Sequence, residues 1–433
     1  MLHAAREKWI FGLILFALVF PRAGTKIFGI PVTVGSLLLA VLFMAWLVSE
    51  KQAANLRTGI LPPVHAVFLI YVTLVTIGMA VFKFDYPLLH RLTVILPIFV
   101  PLVVYYIAYP TAAGWFADEA RIIKMLKVLA LANIFIGVYG LLQYFVGHYR
   151  VMVPGLTISW ADAQIPDVFA TKSNLMWDGQ ALKVTSTFQN GNIFGVYLAM
   201  TNPVIAAGFL AAKTKTEKLL FGMACLVSLY NVPITLARSA FFGSSVALFI
   251  LFLLRKPVRD KIYTAAMFLY MLAVVFTRER LFERLIVSFF DPSLGERREG
   301  IVALSMSAEG VADFMLGSLF KQGHLIAESF FQRASENIYV TFFWWFGVVG
   351  VILFLLACYH VLAALFRCIR FNRAEHDKLE LMAHGLFAGI LAYLIMAIIE
   401  GALYMPPTGI NFWFLLGLAS VVSLLVKNRE ASL

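Results

Sequence analysis

The chain reads as an all-α polytopic membrane protein with about twelve transmembrane helices. Three observations predict this. Of its 433 residues, 61% are hydrophobic and only 14% charged, more apolar surface than a soluble domain can bury. The apolar residues gather in runs near the ~20 residues that cross a bilayer. The basic residues fall in short segments between alternate runs, the distribution that sets membrane topology. The net charge of +11 therefore belongs to loops at a membrane surface and gives no support to nucleic-acid binding.

Taken in order, the candidate spans are 9–20, 30–48, 64–82, 92–108, 122–146, 193–212, 219–237, 239–254, 262–277, 338–356, 381–403 and 409–426. The first, closed by Pro21, is a tilted or partial span. It lacks a small-residue cleavage site and is read as a retained anchor. With the N-terminus inside, inner segments carry about 20 basic residues, among them Lys124, Lys127, Lys213, Arg255, Lys256, Arg370 and Lys378. The short outer loops hold Arg22, Lys26, Lys83, Arg91 and Arg238. Both termini are then cytoplasmic. The chain, 1–433, forms one membrane domain with two long outer segments, 147–187 and 278–336. In the second, between spans 9 and 10, residues 280–290 suit an amphipathic surface helix. Residues 291–295 suit a turn, and 296–320 a helix whose Glu309 and Asp313 argue against a crossing. Cys225, Cys358 and Cys368 lie in or beside apolar runs, so neither a disulfide nor a cysteine metal site is expected.

Several residues carry potential chemistry. Arg238 sits between two apolar runs with almost no loop. It is either a snorkelling anchor or a diphosphate clamp, since guanidinium donates two parallel hydrogen bonds to phosphate and stays charged. The stretch Lys183-Val-Thr-Ser-Thr-Phe-Gln-Asn-Gly-Asn192 is dense in hydroxyls and amides just before a span. It is either a solvated loop ending in a helix cap or a substrate site, with Lys183 on phosphate and Asn190 and Asn192 on sugar hydroxyls. Glu336 is either a first-turn helix residue favoured by the dipole or a general base for an attacking hydroxyl. His324 is a second candidate base. Arg297 and Arg298 form a solvated charge pair or bind phosphate or lipid headgroups. Glu400 lines the same cavity or simply sits at the interface. No DxD pair or histidine cluster calls for a metal, and no cofactor is expected.

These residues together resemble the O-antigen ligase and polymerase superfamily of bacterial surface-polysaccharide enzymes. Ser186-Thr-Phe-Gln-Asn-Gly-Asn192 resembles its G-T-F-x-N-P-N element, which takes in Thr187. Leu236-Ala-Arg238-Ser239 resembles its L-S-R element, and Arg298 through Gly323 its outer loop. Glu336-Asn337-Ile338-Tyr339 with Phe346-Gly347-Val-Val-Gly350 resembles its return helix, and Gln143 also fits. The match runs from about Gln143 to Gly350. Two departures stand out. Ligases usually carry histidine where Glu336 stands, which leans the reading towards polymerases. Ser186 replaces the motif glycine, and Gly191 its proline.

The resemblance implies a GT-C-like membrane glycosyltransferase of the bacterial inner membrane, with outer loop 278–336 as an active-site lid. It implies a donor glycan on undecaprenyl diphosphate. The acceptor hydroxyl belongs to a second lipid-linked repeat unit for a polymerase, or to lipid A-core for a ligase. Glu336 and Arg238 would be catalytic. Gln143, Lys183, Thr187, Asn190, Asn192, Arg297, Arg298, His324, Asn337 and Tyr339 would contact substrate. Transfer would be metal-independent and inverting, and a chain-length regulator would be a natural partner by analogy. A transporter for small anions or lipids is the rival from another class. The lack of an internal repeat and of paired mid-span Gly/Pro breaks counts against it.

Overall fold

The computed structural model describes residues 20, 23–27, 30–47, 62–82, 102–103, 105–116, 118–147, 151, 153, 157, 176–177, 181–188, 190–286, 310–317, 337–371, 378–400, 403 and 406–432. In chain order these form strands β1 (Gly24–Ile27) and β2 (Ile30–Thr33), then helices α1 (Val34–Leu47), α2 (Pro63–Phe82), α3 (Ala108–Trp115) and α4 (Glu119–Val146). Strands β3 (Met176–Trp177) and β4 (Ala181–Leu182) precede α5 (Gly191–Ala211), α6 (Lys215–Ile234), α7 (Arg238–Leu254), α8 (Val258–Phe276) and α9 (Glu279–Leu285). Then come α10 (Val311–Leu316), α11 (Ile338–Phe371), α12 (Lys378–Met396) and α13 (Pro406–Ser432). The architecture is helical, with two short antiparallel hairpins, β1–β2 and β3–β4.

Six of the described helices, α4, α5, α6, α11, α12 and α13, are long and apolar enough to cross a membrane. They make this a multi-pass membrane protein. Helix α5 is the axis: 94% of its apolar window is buried, and α6, α7 and α12 pack around it. The outward faces of α2, α4, α8 and α11 instead expose Ile70, Leu74, Phe135, Phe145, Leu269, Phe276 and Ile352. Such a belt would aggregate in water and matches lipid. Inside, polar groups find each other. Asn133 on α4 donates to Thr201 Oγ1 at 3.0 Å, and Tyr197 donates to Asn133 Oδ1 at 2.8 Å.

Ion pairs fasten one end of the bundle. Lys127 and Lys378 meet Glu217 at 3.0 and 3.2 Å. Arg255, at the end of α7, meets buried Asp260 at 2.8 Å and Glu380 at 3.7 Å. Arg429 pairs with Glu119. The starts of α5 and α7 and the end of α12 lie at the opposite end.

Several expected boundaries change. Residues 30–48 do not form one span: 30–33 pair with 24–27, and the helix begins at Val34. Pro31 has no N–H for a helical bond, and Thr33 takes the cap position, with Ser36 N–H donating to Thr33 Oγ1 at 3.1 Å. The span expected over 219–237 stops at Ile234 after Pro233, and that over 381–403 stops at Met396. The span expected from 338 is broken inside at Gly347, whose φ of 63° and ψ of −170° belong to glycine alone. The carbonyl of Phe346 that the break frees accepts a bond from the Tyr71 hydroxyl at 2.7 Å. A single helix over 296–320 does not form: Gly310 is extended and Gly317 (φ 76°) closes α10 after six residues. Of the expected surface helix 280–290, residues up to Leu285 are helical in α9 and 287–290 lie outside the described residues. So do residues 9–19 of the span 9–20, and residues 92–101 and 104 of the span 92–108.

Candidate functional site

The strap 183–190 between β4 and α5 is built first. Gln143 holds it from α4: its amide oxygen accepts from Thr185 N–H at 3.2 Å and Ser186 N–H at 2.7 Å. Its amide nitrogen donates to Ser186 O at 3.0 Å. Ser186 adopts a φ of 51°, the left-handed region that favours glycine. This is the position where the resembled element carries glycine. The Ser186 hydroxyl donates to Ile136 O at 2.6 Å and offsets part of that strain. Asn190 caps α5, accepting from Ile193 N–H at 2.9 Å. At Gly191 a Cβ would stand 2.7 Å from Thr235 O and 2.9 Å from Lys183 Cβ, so only glycine lets the strap meet the next turn.

That turn joins α6 to α7. Leu236 takes a φ of 56°, and Ala237 leaves the start of α7 without a side-chain cap. Arg238 is the first residue of α7 and half-buried; Ser239 follows, buried. The uncapped N–H groups and positive dipole end of a 17-residue helix favour an anion here.

The third wall is the turn that ends α12. Ile338 N–H donates to Ala397 O at 2.9 Å, and Asn337 Nδ2 donates to Ile398 O at 2.8 Å. Asn337 Oδ1 also caps α11 through Val340 N–H at 3.0 Å. Tyr339 donates to Leu394 O at 2.6 Å. Asn337 and Tyr339 thus spend these polar atoms clamping α11 onto α12. The clamp places Glu400 opposite the other two turns.

The three walls meet through side chains. Lys183 Nζ donates to Asn192 Oδ1 at 3.2 Å. Asn192 Nδ2 donates to Glu400 Oε2 at 3.3 Å. Ser239 Oγ donates to the same Glu400 oxygen at 3.3 Å. Lys183, Asn192 and Glu400, with Ser239 beside Arg238, therefore form one cluster at the bundle end away from the ion pairs. Thr187 is buried in the strap, its hydroxyl without a hydrogen-bond partner among the described residues.

Of the candidates read from sequence, Lys183 and Asn192 come together, and Arg238 adjoins them through Ser239. Gln143 and Asn190 build the strap; Asn337 and Tyr339 build the clamp. Glu336, Arg297, Arg298 and His324 lie outside the described residues. Sequence reasoning missed Ser239, although it directly follows the arginine of the L-A-R-S element. It left Glu400 undecided, because nothing in sequence joins Glu400 to Asn192, 208 residues away. Compared with protein-family models and with curated proteins, the chain matches none.

Proposed function

We propose that this chain is a membrane glycosyltransferase that moves a glycan from undecaprenyl diphosphate to an acceptor hydroxyl. In this reading it polymerises lipid-linked repeat units of a surface polysaccharide; transfer to lipid A-core is the alternative acceptor. One observation carries the reading: a lysine, an asparagine and a serine converge beside an arginine at an uncapped helix start. These are donor types that hold phosphate oxygens, placed where the positive-inside count puts the outer face.

The chemistry follows from those groups. The acceptor oxygen attacks the anomeric carbon in line, and the bond from that carbon to the diphosphate oxygen breaks. The hydroxyl proton passes to a carboxylate, for which Glu336, one peptide bond from Asn337, is the candidate. The diphosphate leaves without a proton when its charge is neutralised, the task assigned to Arg238 and Lys183. Direct displacement inverts the anomeric centre.

The test is Arg238→Lys, measured as glycan transfer by purified protein in a bilayer. Lysine keeps the charge and loses the planar fork, so turnover should fall by about tenfold to a hundredfold. Wild-type turnover in that variant would remove the clamp. The transporter reading keeps one observation in its favour, the break of α11 at Gly347, since transporters build their sites on broken helices.

A further inference from the structure

We infer that Glu400 is the resident counter-ion of this site, its carboxylate holding the donors that one oxygen of a substrate diphosphate takes on binding. The inference rests on reading the site as one for a diphosphate.

The placement of Glu400 is unfavourable by itself. It lies four residues beyond the end of α12, where the partial negative charge of a helix C-terminus opposes a carboxylate. Among the described residues two donors offset this, and both act on Oε2: Asn192 Nδ2 and Ser239 Oγ, each at 3.3 Å. Asn192 in turn accepts from Lys183 at 3.2 Å. An amide and a hydroxyl are thus oriented about one anionic oxygen, with the Lys183 ammonium on the far side of the amide. A phosphate oxygen asks for donors of the same types.

The Glu400 cluster is held by longer bonds than the clamp and the Asn190 and Asn337 caps beside it. The clamp and cap bonds run from 2.6 to 3.0 Å. The three bonds of the Glu400 cluster run from 3.2 to 3.3 Å, beyond the usual optimum. An incoming diphosphate takes Asn192, Ser239 and Lys183, and the carboxylate withdraws. After transfer the carboxylate competes for the same donors and helps to expel the diphosphate product. Glu400 therefore weakens binding and speeds release, opposite to the effect of a residue that simply props up the site.

The experiment titrates inorganic diphosphate, and separately a prenyl diphosphate, into wild-type protein, Glu400→Gln and Glu400→Ala in nanodiscs. Each variant removes the charge; glutamine keeps a hydrogen-bond acceptor and alanine does not. Glu217→Gln, at the opposite end, controls for net charge. Loss of one like charge beside the ligand should lower the Kd about tenfold in both Glu400 variants and leave Glu217→Gln at the wild-type value. A lower Kd for the prenyl compound alone also supports the counter-ion and shows that the ligand is lipid-borne. An unchanged Kd for both probes overturns it. A raised Kd in both variants also overturns it and makes Glu400 a positioning residue for Asn192 and Ser239. Tighter diphosphate binding in a protein that transfers no glycan keeps the counter-ion and removes the transferase. Glycan transfer without that tightening does the reverse.

Discussion

At the scale of single residues, the backbone of the strap decides what the site can hold. Ser186 stands in the left-handed region, and Gln143 satisfies the two neighbouring N–H groups. Buried N–H groups that lose their acceptor cost about 1–3 kcal/mol each. Gln143→Leu should therefore destabilise the protein by about 2–4 kcal/mol, read as a lower unfolding temperature in detergent. Lys183 should lose its hold on diphosphate in the same variant; an unchanged unfolding temperature and Kd would show that the strap is held by other means. The sequence showed the density of hydroxyls and amides in 183–192 but not their division of labour. Asn190 and Asn192 are two residues apart, yet one caps a helix and the other reaches Glu400. A cap and a ligand have the same composition, and only the direction of the side chain separates them.

At the scale of elements, the break in α11 joins α10 to the bundle. A Cβ on Gly347 would meet Met315 O at 2.2 Å, and one on Gly317 would meet Gly347 N at 2.5 Å. Two glycines in conformations closed to other residues thus let α10 dock in the gap of α11. Phe342 and Phe354 stack across the break with ring centroids 4.7 Å apart. Gly347→Ala should expel α10, seen as faster amide exchange over 310–317 with little change in α5. Unchanged protection would mean that the docking does not depend on this contact. Hydropathy made most of the helices readable: runs at 122–146, 193–212 and 239–254 correspond closely to α4, α5 and α7. It could not reveal the strand at 30–33 or the break at Gly347, because an apolar run reports burial and not backbone direction. The ends of α6 and α12 were overrun for the same reason: the turns that follow them are as apolar as the helices.

At the scale of the whole molecule, the two ends of the bundle differ in what their charges do. One end closes on ion pairs among α4, α6, α7, α8, α12 and α13. The other brings the strap, the start of α7 and the end of α12 around Glu400. Residues from three separate parts of the sequence meet there because α5 runs down the centre with α7 and α12 beside it. We propose that this end transfers a lipid-linked glycan. The most direct measurement uses the purified protein in nanodiscs with an undecaprenyl-diphosphate-linked repeat unit, with and without lipid A-core, and follows the products by gel and mass spectrometry. The expected result is a ladder of lengthening lipid-linked glycan without core, with release of undecaprenyl diphosphate. A single transfer that needs core would make it a ligase. No release of undecaprenyl diphosphate from the cognate donor with either acceptor would show that the protein is no glycosyltransferase.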